Sequence, residues 1–138
     1  MQLEWAILAE AVQVREGLAY VLGGGIDTVT ASELPATLTA SLLLRLNLHR
    51  TETDRQHMIE ARILDEDGRQ LSQLHSHAQP RLPEELPVGW DVPVMMNFPI
   101  HNLQLPRASQ YSIEILGDGR HLKSLNFRVR LVAAARPV

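Results

Sequence analysis

Thr37-Leu38-Thr39-Ala40-Ser41-Leu42-Leu43-Leu44-Arg45-Leu46-Asn47-Leu48 is the stretch that decides the fold. Leu38, Ala40, Leu42, Leu44, Leu46 and Leu48 alternate with Thr37, Thr39, Ser41, Leu43, Arg45 and Asn47. Successive side chains of an extended chain stand on opposite faces, so this alternation predicts a strand with one apolar face. Leucine is also a good helix former, and propensity alone leaves the segment ambiguous. The period of two decides for strand.

The same pattern recurs on the C-terminal side. Ile59, Ala61 and Ile63 alternate with Glu60 and Arg62, Asp65-Glu66-Asp67-Gly68 turns the chain, and a polar strand from Gln70 to Gln79 returns as a hairpin. A strand that polar suits a sheet edge. Pro80, Pro83 and Pro87 make residues 80–91 a loop. Val92, Val94, Met96, Phe98 and Ile100 then alternate, with Pro93 and Pro99 placing that strand at an edge or fraying its ends. Tyr111, Ile113 and Ile115 lead to Gly117-Asp118-Gly119, and Leu125, Phe127, Val129 and Leu131 return. The expectation is one all-β domain over residues 1–138, an antiparallel β-sandwich of about eight strands.

The N-terminus reads two ways. Leu3, Ile7, Ala11 and Val14 have helical spacing, whereas Trp5 to Val14 read as a strand is apolar on both faces and suits a central position. Tyr20-Val21-Leu22, after the Glu16-Gly17 turn, favours a hairpin with the first segment as its partner. Gly23-Gly24-Gly25 lacks the Lys and the helix of a phosphate loop, so it reads as a bulge or wide turn needing positive φ.

Composition narrows the function classes. A single chain of 138 residues buries enough surface to fold without disulfide or metal, and 45% apolar with 21% charged residues is an ordinary globular balance. The formal charge of −3 argues against a nucleic-acid partner. Arg120, Arg128, Arg130 and Arg136 read as part of a solvated face. With no cysteine there is no thiolate site or cysteine nucleophile. The N-terminus, with Glu4 and Glu10, does not read as a signal peptide. No apolar run approaches the roughly 20 residues of a membrane helix. The expectation is a cytoplasmic protein with no membrane partner and no cofactor.

Leu3-Glu4-Trp5-Ala6-Ile7-Leu8-Ala9-Glu10-Ala11 and Leu18-Ala19-Tyr20-Val21-Leu22-Gly23-Gly24-Gly25-Ile26-Asp27 carry a resemblance, as do His49-Arg50-Thr51-Glu52-Thr53-Asp54-Arg55, Asp65-Glu66-Asp67-Gly68 and Asn102-Leu103-Gln104-Leu105-Pro106. Together with the Tyr111 hairpin, these resemble a bacterial family of small all-β domains of unassigned function. The resemblance implies a sandwich-like domain, tilts the N-terminal segment towards strand, and implies no catalytic residues. The closing segment also looks like the end of immunoglobulin-like and fibronectin-like modules. Gln110 stands where such a turn often has glycine.

Candidate sites are few. The six histidines are His49, His57, His75, His77, His101 and His121. His75 and His77 share a strand face and could begin a metal site, but zinc wants a third protein ligand. Asp65-Glu66-Asp67 lacks the spacing of a calcium loop and reads as a solvated turn. There is no nucleophile elbow, and the serines are scattered. Trp90, Met95, Leu103 and Leu105 sit in or near loops and could form an interaction surface; the alternative is that they cap the core. The functional expectation is a non-enzymatic interaction or scaffold domain that binds protein or self-associates as a homo-oligomer. The alternative is a small-molecule or metal-binding sandwich using the His75/His77 face.

Overall fold

The computed structural model of the chain describes residues 1–133, which leaves Arg136 outside the described residues. Among the described residues nine strands run in order: β1 (Gln2–Arg15), β2 (Leu18–Gly24), β3 (Thr28–Ala31), β4 (Ala36–Leu48), β5 (His57–Leu64), β6 (Gln70–Ala78), β7 (Val92–Leu105), β8 (Gln110–Gly117) and β9 (Arg120–Leu131). They form a four-stranded sheet, β2-β1-β4-β7, and a five-stranded sheet, β3-β9-β8-β5-β6. The arrangement is sandwich-like, with one sheet curled as a half-barrel. One 3₁₀ turn, Arg50–Glu52, lies between β4 and β5.

The alternation of β4 holds. Leu42, Leu44, Leu46 and Leu48 are fully buried and meet Ile59, Ala61, Ile63, Ile113 and Ile115 of the facing sheet in one core. Burying these aliphatic side chains is the main drive that holds the layers together. The N-terminal segment is a strand paired on both sides, to β2 and to β4, which is why it is apolar on both faces. Glu16, Gly17, Gly23 and Gly25 all have positive φ, as the turn and bulge readings require.

Two expectations change. The ninth strand is β3, and it lies parallel to β9, so the sandwich is not wholly antiparallel. The chain leaves the first sheet at Gly25 and Ile26, whose N–H groups donate to the Leu8 carbonyl, and enters the second at Asp27, whose carbonyl accepts from Arg128. Such a sheet switch brings together residues about a hundred positions apart and leaves no local pattern. Leu103 and Leu105 are not in a loop: β7 runs on through them, past a break in register, and pairs with the start of β4.

The turn before β8 is held by a side chain. The Tyr111 ring stacks on Phe127 with centroids 5.4 Å apart. Its hydroxyl donates to the Arg107 carbonyl at 2.9 Å and accepts from the Arg107 N–H at 3.0 Å. Arg107 in turn reaches Asp67 at 3.0 Å and Asp65 at 3.3 Å. Asp65 also accepts from the Asp67 and Arg69 N–H groups, at 2.9 and 2.8 Å. Those backbone donors, the one from Arg69 foremost, hold its carboxyl below the ordinary range. The acidic turn is thus a structural clamp.

Candidate protein-interaction face

β1 pairs with β4 only from Gln2 to Ala9, and with β2 from Ala9 to Arg15. From Ala11 onward β1 pairs with β2 alone, while β4 runs on beside β7 from Ala40 to Ala36, so β1 and β2 part from β4 as a two-stranded ribbon. Such a ribbon is marginal by itself, with no third strand and no opposing sheet to bury its faces. Even so, it carries Val14, Leu18, Tyr20, Val21 and Leu22, all exposed. Leu18 is 61% exposed, Tyr20 57% and Leu22 71%. Full burial of a large apolar side chain is worth roughly 1.5–3 kcal/mol, so the ribbon leaves substantial hydrophobic free energy unrealised.

Register places these residues in rows. Residues opposite one another across a pair share a face, so Leu18 with Arg15, Tyr20 with Gln13 and Leu22 with Ala11 lie on one side. The same side continues through Ala9 with Ser41, Ile7 with Leu43 and Asn97, and Trp5 with Arg45 and Met95. Ala9 and Leu43 are fully buried although they point away from the sandwich core. A stripe of apolar residues, interrupted by Asn97, Ser41 and Gln13 and bordered by Arg45 and Arg15, therefore runs down the outer face of this sheet from Met95 and Trp5 to the ribbon tip. Near its middle the Asn97 side-chain oxygen is buried and has no hydrogen-bond partner among the described residues. Ala11, Val12, Gln13 and residues 19–22 line an open depression of about 510 Å³ along the ribbon.

β2 is also an edge. Its seven residues, Leu18 to Gly24, hold no charge and no proline. The three other edges are less inviting. β7 carries Pro93 and Pro99, β6 presents Gln73, His75 and His77, and β3 is only four residues long. β6 and β7 are edges as the sequence suggested; the apolar edge is a different one.

Of the four interaction residues named from sequence, only Met95 lies on this stripe. Trp90 is exposed in the loop before β7, beyond that strand's opposite end from Leu103 and Leu105. Leu103 is half-buried against the core, and Leu105 is fully buried within it, unavailable to a partner. The four do not converge. The ribbon went unmarked because Tyr20-Val21-Leu22 reads equally well as a covered strand. The available signal was the absence of any polar residue from Leu18 to Gly24.

Other polar clusters have structural explanations. His75 and His77 stand opposite Glu60 and Met58 on β5, and among the described residues no three His, Cys, Asp or Glu side chains could together hold a metal ion. His121 Nε2 lies 2.7 Å from Glu114 Oε2 and 2.9 Å from Ser124 Oγ, and Ser124 itself bonds to Glu114. Burial opposes ionisation of Glu114, but hydrogen bonds from Ser124, His121 and Ser112 outweigh it and hold its carboxyl below the ordinary range. One ring nitrogen meets both partners and the serine points at the carboxylate. A hydrolytic triad instead needs the imidazole to bridge serine and acid through its two nitrogens.

Among the described residues His57 and Glu60 are the buried charged or polar side chains, and sequence singled out neither as a site; of the two, His57 is fully enclosed. Its Nδ1 lies 2.6 Å from Asp118 Oδ2 and its Nε2 2.6 Å from the Glu52 carbonyl. The carbonyl and the ionised carboxylate are both acceptors, so the geometry favours the doubly protonated ring, with both nitrogens donating. Burial opposes that charge, but the Glu52 carbonyl and the Asp118 carboxylate outweigh it and hold the pKa above the ordinary value. Asp118 also accepts from the Met58 N–H at 2.9 Å. Burial raises its carboxyl pKa, yet the bonds from His57 and Met58 bring it below the ordinary range. The pair ties the β8–β9 turn to the start of β5, and the ring is closed to solvent.

Fold and surface together define an all-β, two-sheet domain with an apolar edge ribbon. The chain belongs to a family of unknown function, DUF6941, whose model matches residues 4–130. No curated protein matches the chain at a significant level. Among the described residues no helix is long and apolar enough to cross a membrane.

Proposed function

We propose that this domain is a non-catalytic, immunoglobulin-like protein-interaction module that binds through the β1–β2 ribbon and the adjoining outer face of its sheet. The immunoglobulin-like assignment is supported by the four-plus-five strand arrangement and by Tyr111, whose hydroxyl bonds back to the Arg107 backbone as a tyrosine corner does. The binding role rests on one observation: a two-stranded ribbon, parted from β4, with Leu18, Tyr20 and Leu22 each more than half exposed. Large contiguous apolar patches on a protein surface mark interaction sites. Tyrosine and aliphatic side chains beside an open strand edge supply both parts of strand-addition binding: side-chain contacts and free backbone hydrogen-bonding groups.

A photocrosslinking residue at position 22 tests this in the native host. A protein crosslinked at position 22 but not at the exposed position 66, on the distant β5–β6 turn, supports the reading. Equal labelling at both positions, or no protein adduct at 22, refutes it.

A further inference from the structure

We propose that the partner of this ribbon is a second copy of the same chain, joined by antiparallel pairing of β2 with β2 about a two-fold axis through Tyr20. The inference rests on the interaction reading above and names its partner. The regular part of β2, before the positive φ of Gly23, runs from Leu18 to Leu22. A two-fold axis at Tyr20 sets Leu18 opposite Leu22 of the second copy, Ala19 opposite Val21, and Tyr20 opposite itself.

Every opposed pair is apolar, and no charge meets a like charge. That matters because each copy carries a formal charge of −3, and an edge bearing acidic residues would repel its own image. The strand is electrostatically compatible with its own copy.

Side chains and backbone favour the same register. Leu18, Tyr20 and Leu22 share the outer face and are the most exposed of the ribbon's large apolar residues, so pairing forms a continuous Leu–Leu, Tyr–Tyr, Leu–Leu row. Ala19 and Val21 fill the other face. Alternate residues of β2 direct N–H and C=O groups away from β1, and the second copy satisfies them. The two four-stranded sheets become one eight-stranded sheet, β7-β4-β1-β2 continuing into its image. The ribbon, with one neighbour strand in the monomer, becomes the middle of that sheet. A two-fold contact of this kind closes on itself and consumes the edge, so association stops at the dimer.

Because Tyr20 faces its own image, charge substitution gives a specific test. Sedimentation velocity on the wild-type chain at tens of micromolar should give twice the monomer mass. Tyr20→Lys and Tyr20→Glu should each sediment as monomers with an unchanged circular dichroism spectrum, since the side chain is exposed. Mixing the two variants should restore the dimer, and to at least ten times the dimer fraction of either alone. If either variant fails to fold, Leu22→Lys mixed with Leu18→Glu repeats the test on the flanking pair. A wild-type monomer, or a dimer indifferent to these substitutions, overturns the two-fold pairing. A wild-type monomer that still crosslinks another protein from position 22 refutes self-pairing alone; loss of both results removes the interaction reading as well.

Discussion

Replacing His57 by alanine should destabilise the fold with a distinctive dependence on pH. The ring is fully buried and makes two hydrogen bonds of 2.6 Å, one to a carboxylate and one to a backbone carbonyl. A bond involving a charged group contributes about 1.5–3 kcal/mol. Asp118 is nearly half exposed, so water can replace the imidazolium there and its bond belongs at the lower end. The Glu52 carbonyl loses its partner, and the space of the ring is vacated. Together these give an expected loss of about 3–5 kcal/mol at about pH 5.5. Because the folded-state pKa of His57 is raised, its contribution is complete below the unfolded value of about 6.5 and fades as pH rises through the higher folded value. Because that of Asp118 is lowered, its contribution is complete above about 3.9 and fades as pH falls through the lower folded value. Urea unfolding of wild type and His57→Ala from pH 3 to 9 measures the difference directly. The gap between them should be widest between about pH 4 and 6.5 and narrow on both sides. A gap that stays constant across the range, or widens above pH 7, would refute a buried imidazolium held by two acceptors.

Tyr111→Phe keeps the stack on Phe127 but removes two hydrogen bonds to Arg107, so it should cost about 1–3 kcal/mol in urea unfolding. A cost below about 0.3 kcal/mol would mean the corner is not held by the hydroxyl. Leu44→Ala should cost about 2–5 kcal/mol and Phe127→Ala about 3–5 kcal/mol, both side chains lying in the core. A loss under about half a kcal/mol at either position would contradict that burial. Chelation should leave the melting temperature unchanged; a drop of several degrees would make His75 and His77 ligands of a structural metal.

Alternation was legible in the sequence because a strand's two faces are a local property. The inward set of Leu42, Leu44, Leu46 and Leu48, and the hairpins at Asp67-Gly68 and Gly117-Asp118-Gly119, needed no knowledge of neighbours. Pro93 and Pro99 marked an edge for the same reason, since a missing N–H is a property of the residue itself. The N-terminal segment lay at the limit: residues apolar on both faces fit a strand or a helix, and only pairing on both sides by β2 and β4 resolves them. The hairpin that forms the candidate site was legible too, at the Glu16-Gly17 turn, but its exposure and the polar pairs elsewhere were non-local. His57 meets Asp118 across 61 positions, and neither residue's surroundings in the chain predict the other. Leu105 and Leu22 are both leucines on strands, yet one is sealed in the core and the other is 71% exposed. The difference is which face each occupies: Leu105 points at the opposing sheet, whereas Leu22 points outward from a ribbon that β4 ceases to flank at Ala9. Only tertiary packing decides that, because alternation along a strand does not say which of its faces a second sheet will cover.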